Sequence, residues 1–342
     1  MVLQLALHQT KLKKILFVHN HPTQFVRLDL AELRKHHQVT ECYLQSRWIN
    51  PAAIWRQVST HDLVFGWFAS WHTLLPLEFA RLLGKPSVLV VGGYDLADMP
   101  EIGYGHQRGG VKKWLTRRTM YAASCLITNS QYSRGEAASN GTVAKQTVHA
   151  IYHGVPDRFG ALPDGARSRM ALTVGNVNRS NLQRKGHAAF VRTAALMPGI
   201  DFVLVGDWQD SAVEQLRAIA TPNVKLVGRV SDQELDDYYR RASVYVQASR
   251  HEGFGLSVAE AMLAGCVPVV TRAGALPEVT GESGIFVATP EPTVLAQAIE
   301  KALAYPGAGR AAIRQRILDR FPMEKRGRAL EDLVRPLMNG SH

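Results

Sequence analysis

The sequence has few cysteines, a minority of acidic residues and no long apolar run. Its three cysteines, Cys42, Cys125 and Cys266, are far apart and show no Cys-x-x-Cys spacing. This argues against a zinc site or a disulfide framework and suits a reducing compartment. No apolar run approaches the roughly 20 residues of a membrane-spanning helix. Residues 2–7 are too short for the apolar part of a signal peptide, and lysines follow them rather than precede them. We therefore expect a cytoplasmic protein.

Acidic residues are outnumbered by basic ones, 29 against 40, so the formal net charge is +11. The excess lies early in the chain, because residues 1–160 hold 18 basic and 10 acidic side chains. Such a balance favours anionic partners, namely an anionic membrane surface, nucleic acid or phosphorylated small molecules. We see no RNA-recognition, zinc-finger or helix-turn-helix motif, so we expect no nucleic acid partner.

The sequence does have length and a regular alternation of strand and helix patterns. Its 342 residues exceed the usual size of one hydrophobic core. The alternation runs to about residue 151, stops in a linker-like stretch at 156–168 and then restarts. This predicts an α/β protein with two doubly wound parallel sheets in domains 1–160 and 161–342, facing across a cleft at the carboxyl ends of the strands. The predicted strands are 13–18, 39–44, 63–67, 87–91, 125–128, 146–151, 170–174, 201–206, 224–227, 243–248, 267–270 and 285–287. The predicted helices are 25–35, 74–83, 111–123, 186–196, 211–220, 232–242 (capped by Ser231, with Glu234 at its third position), 258–264, 293–304 and two in 310–337.

One stretch, residues 249–262, concentrates the chemistry. A strand leads into Glu252-Gly253-Phe254-Gly255-Leu256, and a helix that contains Glu260 follows. A strand, a glycine turn and a helix start aim free N–H groups and the positive end of a helix dipole at an anion. Two flanking carboxylates suit a phosphate with hydroxyl-rich groups at both ends, because carboxylates accept hydrogen bonds from hydroxyls. The alternative is a surface turn with two solvated glutamates.

Two further strand ends complete a candidate site for a phosphorylated ligand. A flexible basic loop after strand 170–174 can neutralise a diphosphate, with Lys185 as a point charge beside a helix start. A solvated loop with ordinary surface cations is the alternative. After strand 224–227, bare backbone can hydrogen-bond the edge of a nucleobase. The residues of these two strand ends are Gly175, Asn176, Arg179, Arg184, Lys185, Gly228, Arg229 and Val230.

The order and spacing of these motifs resemble the retaining glycosyltransferases of family 4, which have the GT-B fold. The resemblance covers about residues 168–325, from Lys185-Gly186 through Glu252-x7-Glu260 to Pro277-Glu278. It is weaker in the first half, where His153-Gly154-Val155-Pro156 fits the run into the interdomain hinge. The resemblance implies that 1–160 binds the acceptor, that 161–342 binds a nucleotide-sugar donor, and that the last helices pack back on the first domain.

The resemblance also implies roles for single residues. Lys185 pairs with the donor diphosphate, Glu260 binds the ribose, and the backbone of Gly228–Val230 meets the base. Glu252 holds hydroxyls of the transferred sugar, and the N–H groups of Phe254, Gly255 and Leu256, which follow the donor-binding Gly253, contact the sugar and the β-phosphate. The expected reaction transfers a sugar from a UDP- or GDP-sugar with retention at the anomeric carbon. It needs no metal or other cofactor, because Lys185 and the helix N-terminus stabilise the leaving diphosphate.

Three departures from the family concern the remaining contacts. Asn176 stands where the family has an arginine, so we expect Arg179 or Arg184 to replace that phosphate contact. The first loop, 20–24, lacks the usual Gly-Gly pair. In Gly92-Gly93-Tyr94-Asp95 the usual histidine is missing. We expect Asp95, or His21 from the first loop, to position an acceptor that the sequence does not identify, a lipid-linked sugar, another glycan or a small molecule.

A basic and apolar helix, 111–123, offers a second surface. With Trp48, Trp55, Trp67 and Trp71 it would seat the first domain on an anionic membrane, at the inner face, toward a lipid-linked acceptor. The alternative is a solvated basic face with tryptophans in the core. Two rival functions share the fold, a sugar-nucleotide epimerase and a non-catalytic nucleotide-sugar-binding subunit. A Rossmann dehydrogenase is disfavoured, because residues 253–258 lack the third glycine.

Overall fold

The computed structural model describes residues 12–46, 48–139, 147–162 and 167–340. Within them lie two six-stranded sheets, and every strand pair in both sheets is parallel. Most strands are buried on both faces, as continuous apolar runs in parallel sheets require. The predicted α/β architecture with two doubly wound parallel sheets is thereby confirmed.

The first sheet holds the strands of the N-terminal half in the order β2-β1-β3-β4-β5-β6. Its strands are β1 (Lys14–His19), β2 (Gln38–Tyr43), β3 (Leu63–Trp67), β4 (Ser87–Val91), β5 (Cys125–Thr128) and β6 (Thr147–Ala150). Its helices are α1 (Gln24–Arg34), α2 (Pro51–Thr60), α3 (Trp71–Leu82), α4 (Gly110–Ala122) and α5 (Gln131–Ser139).

The second sheet has the order β12-β11-β10-β7-β8-β9. Its strands are β7 (Ser168–Val174), β8 (Asp201–Val205), β9 (Val224–Gly228), β10 (Ala242–Gln247), β11 (Val267–Thr271) and β12 (Ile285–Val287). The helices of this half are α6 (Arg179–Arg184), α7 (His187–Thr193), α8 (Ala212–Arg217), α9 (Asp232–Arg241), α10 (Leu256–Leu263), α11 (Leu276–Thr280), α12 (Pro292–Leu303), α13 (Gly309–Arg320) and α14 (Met323–Met338).

Each sheet reverses its winding at one point, and these two points fix where ligands can enter. In the first sheet β1 lies between β2 and β3, so the reversal falls between β1 and β3. In the second sheet β7 lies between β10 and β8, so it falls between β7 and β10. At such a switch point the connections leave toward opposite faces of the sheet and open a crevice beyond the carboxyl ends of the strands.

The C-terminal helix crosses back to the first sheet, as predicted. Leu330, Val334 and Met338 of α14 belong to the apolar core beneath β1 and β3. Arg326 anchors the start of the crossing through two hydrogen bonds to the Asp29 carboxylate, at 2.6 and 2.7 Å. Both side chains are only 1% exposed. This buried ion pair joins α14 to α1, and removing either partner would leave an uncompensated buried charge.

The predicted strands agree with the structure to within two residues, apart from position 146, which with residues 163–166 of the predicted linker lies outside the described residues. Three helices, α2, α5 and α11, were not predicted. One prediction was wrong: the basic stretch after β7 is not a flexible loop. It forms α6, because the Asn178 side chain accepts a hydrogen bond from the N–H of Asn181 and so caps the helix.

Among the described residues, no helix is both long enough and apolar enough to cross a membrane. The three cysteines are free thiols, all buried. Burial raises the pKa of Cys42 and Cys266 to about 11, so neither has the properties of a reactive thiolate.

Candidate active site

The candidate site forms where β7 and β10 end, at the switch point of the second sheet. Lys185 follows β7 and Glu252 follows β10, and their side chains meet with Nζ 3.2 Å from Oε1. Both are largely shielded, with side chains 17% and 12% exposed. Residues 67 positions apart are therefore joined by an ion pair at the place where the topology opens a crevice.

The Glu252 carboxylate is held by one of its two oxygens. Oε1 accepts hydrogen bonds from Lys185, from Gln247 Nε2 at 2.9 Å and from Ser249 Oγ at 3.2 Å. Among the described residues, Oε2 has no hydrogen-bond partner. One oxygen thus fixes the side chain and the other remains available to a hydroxyl donor.

A glycine secures the backbone of Glu252. A Cβ added at Gly274 would lie 2.1 Å from the Glu252 carbonyl oxygen, and φ at Gly274 is +61°, which side chains rarely adopt. The Glu252 carbonyl in turn accepts a hydrogen bond from the N–H of Ala275 at 2.9 Å. Gly274, which is part of the resemblance, is therefore explained by close backbone approach rather than by contact with a ligand.

The start of α10 completes the site with backbone donors. Gly255 is the N-cap residue, with φ +95°, and no side chain caps the helix. Within the described residues, no acceptor pairs with the N–H groups of Phe254, Gly255 and Leu256. Unpaired N–H groups at the positive end of a helix dipole favour an anion.

The electrostatics of the pair keep Glu252 ionised. Burial would raise the pKa of the Glu252 carboxyl, but the charges of Lys185 and Arg184 outweigh it, and the pKa is lowered. Burial lowers the pKa of Lys185, while Glu252 opposes that shift. The site thus holds a carboxylate whose charge depends on two neighbouring cations.

Of the two arginines expected to replace the missing family arginine, only Arg184 lies at the site. Its Nη1 is 3.7 Å from Glu252 Oε1. Two bonds to Asn181 Oδ1, at 2.7 and 3.1 Å, and the ring of Tyr104, 4.7 Å from the guanidinium, hold it in place. Arg179 is exposed in the first turn of α6, where its N–H bonds to Asp210. Asn176 is exposed as well.

Glu260 lies on the second turn of α10 and is surrounded by donors. Its Oε1 accepts from Arg158 Nη1 at 2.8 Å and from Gln24 Nε2 at 2.9 Å, and its Oε2 accepts from the Tyr239 hydroxyl at 3.2 Å. Arg158 also bonds to Asp236 at 2.5 Å. Because Glu260 is only 4% exposed, a ribose hydroxyl would reach it by displacing one of these donors, and Gln24 is the exposed one.

The third predicted element, Gly228–Val230, lies at the carboxyl end of β9, the outermost strand on this side of the second sheet. The Gly228 carbonyl accepts from the N–H of Gly206 at 2.9 Å. Arg229 is exposed and pairs with Asp207 at 3.2 Å. This strand end lies on the same sheet edge as Lys185, two strands farther out.

Asp95 is placed differently from what the acceptor role requires. Its side chain is 2% exposed and accepts from the N–H groups of Gly92 at 2.9 Å and Ala69 at 3.1 Å. Burial raises the pKa of this carboxyl to about 7. These contacts join the β3 and β4 loops, so they favour a structural role, and an acceptor role for Asp95 stays a prediction.

His21, the other acceptor candidate, is exposed in the loop between β1 and α1. That loop and the segment after β3 form the switch point of the first sheet. Phe68, directly after β3, is the one non-glycine residue of the described ranges with a positive φ, +66°. A bulky residue in this conformation is strained, and such strain is concentrated at functional positions.

The two edges contact each other through hydrogen bonds between the halves of the chain. The Ser130 hydroxyl donates to the Gly253 carbonyl at 2.7 Å. The Glu278 carboxylate accepts from the N–H groups of Gln131 and Tyr132, at 2.9 and 2.7 Å, and so caps α5 from the opposite domain. The turn that carries the candidate donor contacts is thus seated directly on the first domain.

Sequence reasoning missed several members of this site. Arg158, Gln24 and Gln247 contact the two glutamates, but no local motif marks them. A glutamine at the carboxyl end of a buried strand is unusual enough to have drawn attention to Gln247. Arg158 and Gln24 meet Glu260 only through the fold, 102 and 236 positions away.

Comparison with known proteins identifies the family. A family model described as Glycosyl transferases group 1 matches residues 168–305. These residues belong to that family, and the chain is a glycosyltransferase. The lipopolysaccharide core biosynthesis mannosyltransferase LpcC of Rhizobium leguminosarum bv. viciae is 29% identical over 251 residues, 66% of this chain and 67% of that protein. The glycogen synthase of Mycobacterium tuberculosis is 30% identical over 222 residues, 62% of this chain but only 53% of that protein.

A solved structure shows the same fold as this glycosyltransferase over nearly the whole chain. The Anabaena protein HepE, crystallised in complex with UDP and glucose, superposes with a TM-score of 0.73 at 17% identity, covering 95% of this chain and 100% of that one. At this identity the likeness concerns the fold alone.

Proposed function

We propose that this glycosyltransferase moves a sugar from a nucleotide-sugar donor to an acceptor with retention at the anomeric carbon. The observation that carries the proposal is the Lys185–Glu252 pair beside the unpaired N–H groups of α10. It offers a cation and backbone donors to a diphosphate, and a free carboxylate oxygen to a sugar hydroxyl.

In this proposal the diphosphate lies against Lys185 and the N–H groups of Phe254–Leu256. The bond between the anomeric carbon and the phosphate oxygen breaks while the acceptor oxygen bonds to that carbon from the same face. The acceptor proton passes to the leaving diphosphate oxygen. Negative charge that develops on the diphosphate is stabilised by Lys185 and the helix N-terminus, in a site largely shielded from water.

Glu252 does two things in this scheme. Its Oε1 holds Lys185 in place, and its Oε2 accepts a hydroxyl of the transferred sugar. Glu260 binds the ribose after Gln24 moves away from it. The protein cations take the part that a metal plays in other enzymes, so we propose that the reaction needs no metal. Activity that survives an excess of EDTA would support this last point, and loss of activity that Mg²⁺ or Mn²⁺ restores would contradict it.

The donor is proposed to be a UDP- or GDP-sugar. The similarity to a mannosyltransferase makes a mannosyl donor the first to test, and the fold shared with a protein solved with UDP and glucose makes a glucosyl donor the second.

For the acceptor we propose a membrane-associated molecule. Val111, Trp114 and Tyr121 of α4 are exposed, at 78%, 63% and 47%, and Lys112 and Lys113 lie on the same helix. Trp48, in the same half of the chain, is 95% exposed, whereas Trp67 is fully buried and belongs to the core, so Trp67 takes no part in such a surface. An exposed face that mixes cations with aromatic rings suits an anionic lipid surface.

The test is turnover by the purified full chain against UDP-, GDP- and ADP-sugars, with released nucleoside diphosphate as the readout. Transfer with retained configuration, seen by the anomeric coupling of the product, supports the proposal, and an inverted product contradicts retention. Conversion of the donor to its epimer without release would indicate an epimerase. Binding without turnover across a wide acceptor panel would indicate a non-catalytic subunit.

A further inference from the structure

An exposed tryptophan lies on the donor edge of the second sheet, and no predicted role accounts for it. Trp208 follows β8 and is 39% exposed. Its backbone is firmly held, because the N–H of Val177 donates to the Asp207 carbonyl at 2.8 Å and the N–H of Gln209 donates to the Val177 carbonyl at 2.9 Å. Val177 and Trp208 form an isolated parallel bridge. The loop is therefore a short extension of the sheet that sets the direction of the indole.

The indole lies directly against Gly228. A Cβ added there would contact Trp208 Cε2 and Cζ2 at 3.5 Å, so the ring edge occupies the space beside the strand end predicted to meet a nucleobase. The Arg217 guanidinium lies 4.5 Å from the ring centroid and covers one face. With one face covered and one edge packed, the opposite face accounts for the exposed surface.

The position of the ring relative to the diphosphate site is informative. The Lys185 side chain packs against Gly175 at the end of β7, whereas Trp208 follows β8 and Gly228 ends β9, one and two strands away on the same edge. This separation is roughly 5 to 10 Å. In a nucleoside diphosphate the base lies at a similar distance from the phosphates, with the ribose between them.

We propose that Trp208 is a donor-binding residue whose exposed indole face stacks on the base of the nucleoside diphosphate. The inference rests on the proposed function, since it takes the ligand to be a nucleotide sugar. Every nucleobase has a π-face, and stacking on an aromatic side chain contributes about 1 to 3 kcal/mol per base. The Arg217 cation behind the ring adds cation–π attraction to the indole and keeps it in place. The neighbouring Asp207–Arg229 pair is placed to read the base edge.

The experiment measures binding of UDP, GDP, ADP and inorganic pyrophosphate to the full chain by calorimetry. Trp208→Ala is compared with Trp208→Phe and with Trp55→Ala, a tryptophan of similar exposure, 41%, on the first domain. For the tightest-binding nucleotide we expect Trp208→Ala to raise Kd by about 5- to 150-fold and leave pyrophosphate affinity unchanged. Trp208→Phe should keep most of the affinity, and Trp55→Ala all of it.

A second readout keeps the proposal testable if the alanine variant folds poorly. Nucleotide should quench the intrinsic fluorescence of the wild-type protein, and Trp208→Phe should lose that quenching while calorimetry still shows binding. Unchanged nucleotide affinity in folded Trp208→Ala, or an equal loss of pyrophosphate affinity, would overturn the role of Trp208 and leave the proposed function intact. If the wild-type protein binds none of the three nucleotides, the proposed function fails and the stacking role fails with it.

Discussion

The switch points of the two sheets have the same topology and contrasting chemistry. In the second sheet the crevice carries an ion pair, Lys185 and Glu252, beside unpaired backbone N–H groups. In the first sheet the matching crevice carries His21 in an exposed loop and the strained backbone of Phe68. The edge of the second sheet therefore offers charged groups to a charged ligand, whereas the edge of the first sheet offers aromatic side chains and a particular backbone shape.

This contrast explains why the two ligands differ in how well they can be inferred. A diphosphate needs cations and N–H donors, and those residue types leave a recognisable pattern in a sequence. An acceptor hydroxyl needs only a suitably shaped crevice, so the first edge carries no comparable pattern. The experiments below set one edge against the other.

Loss of Lys185 should give the largest effect. If Lys185 stabilises the leaving diphosphate, Lys185→Ala lowers kcat by at least ~10²-fold, measured as release of nucleoside diphosphate at saturating donor. Lys225→Ala is the matched control, because Lys225 belongs to an exposed ion pair with Asp201 in the same domain, 3.3 Å long. A near-normal kcat in Lys185→Ala would transfer the role to Arg184.

The segment that carries Arg184 and Lys185 shows which features a sequence can predict and which it cannot. The pattern predicted every strand of both sheets, and it predicted the Ser231–Glu234 capping box, which depends on neighbours three residues apart. It predicted a flexible loop at 179–185, because the contacts that hold Arg184 there reach the distant His251 carbonyl and the Tyr104 ring. The distant contacts cannot be read from any sequence window, whereas the Asn178 cap of α6 is a local signal that was overlooked.

The unpredicted helices α5 and α2 also differ in whether their start signals are distant or local in the sequence. Helix α5 is capped by Glu278, 146 positions away from Tyr132, so no sequence window contains its start signal. Helix α2 is different, because its Asn50 cap and its proline in the first turn are local. That signal was present in the sequence and was overlooked.

Each edge has a buried histidine in the first turn of a helix: His187 begins α7, the second helix after β7, and His72 lies in α3, directly after β3. Burial, helped by Lys185, lowers the pKa of His187 to about 3, and burial lowers that of His72 to about 4, from an ordinary 6.5. Both are neutral in the folded protein. Because its pKa is lowered in the fold, His187 takes up a proton at a higher pH in the unfolded chain than in the folded one. Its contribution to the free energy of unfolding is therefore fully present above pH 6.5 and is lost as the pH falls toward 3.

Replacing His187 should therefore flatten the acid limb of the stability curve. Neither of its ring nitrogens has a partner among the described residues, so His187→Leu loses no hydrogen bond. Between pH 7.5 and pH 5 the wild-type free energy of unfolding should fall by about 2 kcal/mol more than that of His187→Leu, measured by urea unfolding. The exposed His36→Leu serves as control and should follow the wild type. An equally steep acid limb in His187→Leu would mean that this histidine is protonated in the fold.

Glu260 tests how far the donor site extends along its edge. Glu260→Ala should raise donor KM by about tenfold, the cost of one lost hydrogen bond to a charged group, with a smaller change in kcat. Glu234→Ala is a suitable control, since that carboxylate caps α9 on the surface. An unchanged donor KM would rule out the ribose contact and would make the Arg158–Glu260 pair purely structural.

The smallest effect on catalysis is expected from His21, at the edge of the first sheet. It tests whether that edge contacts only the acceptor, while the edge of the second sheet contacts the donor. If His21 contacts only the acceptor, His21→Ala should raise acceptor KM by a few-fold, about the value of one exposed hydrogen bond. Donor KM and slow donor hydrolysis in the absence of acceptor should stay unchanged. A loss of donor hydrolysis in His21→Ala would instead place this histidine at the diphosphate. The first loop would then belong to the donor site, together with Gln24, which already hydrogen-bonds to Glu260 across the cleft.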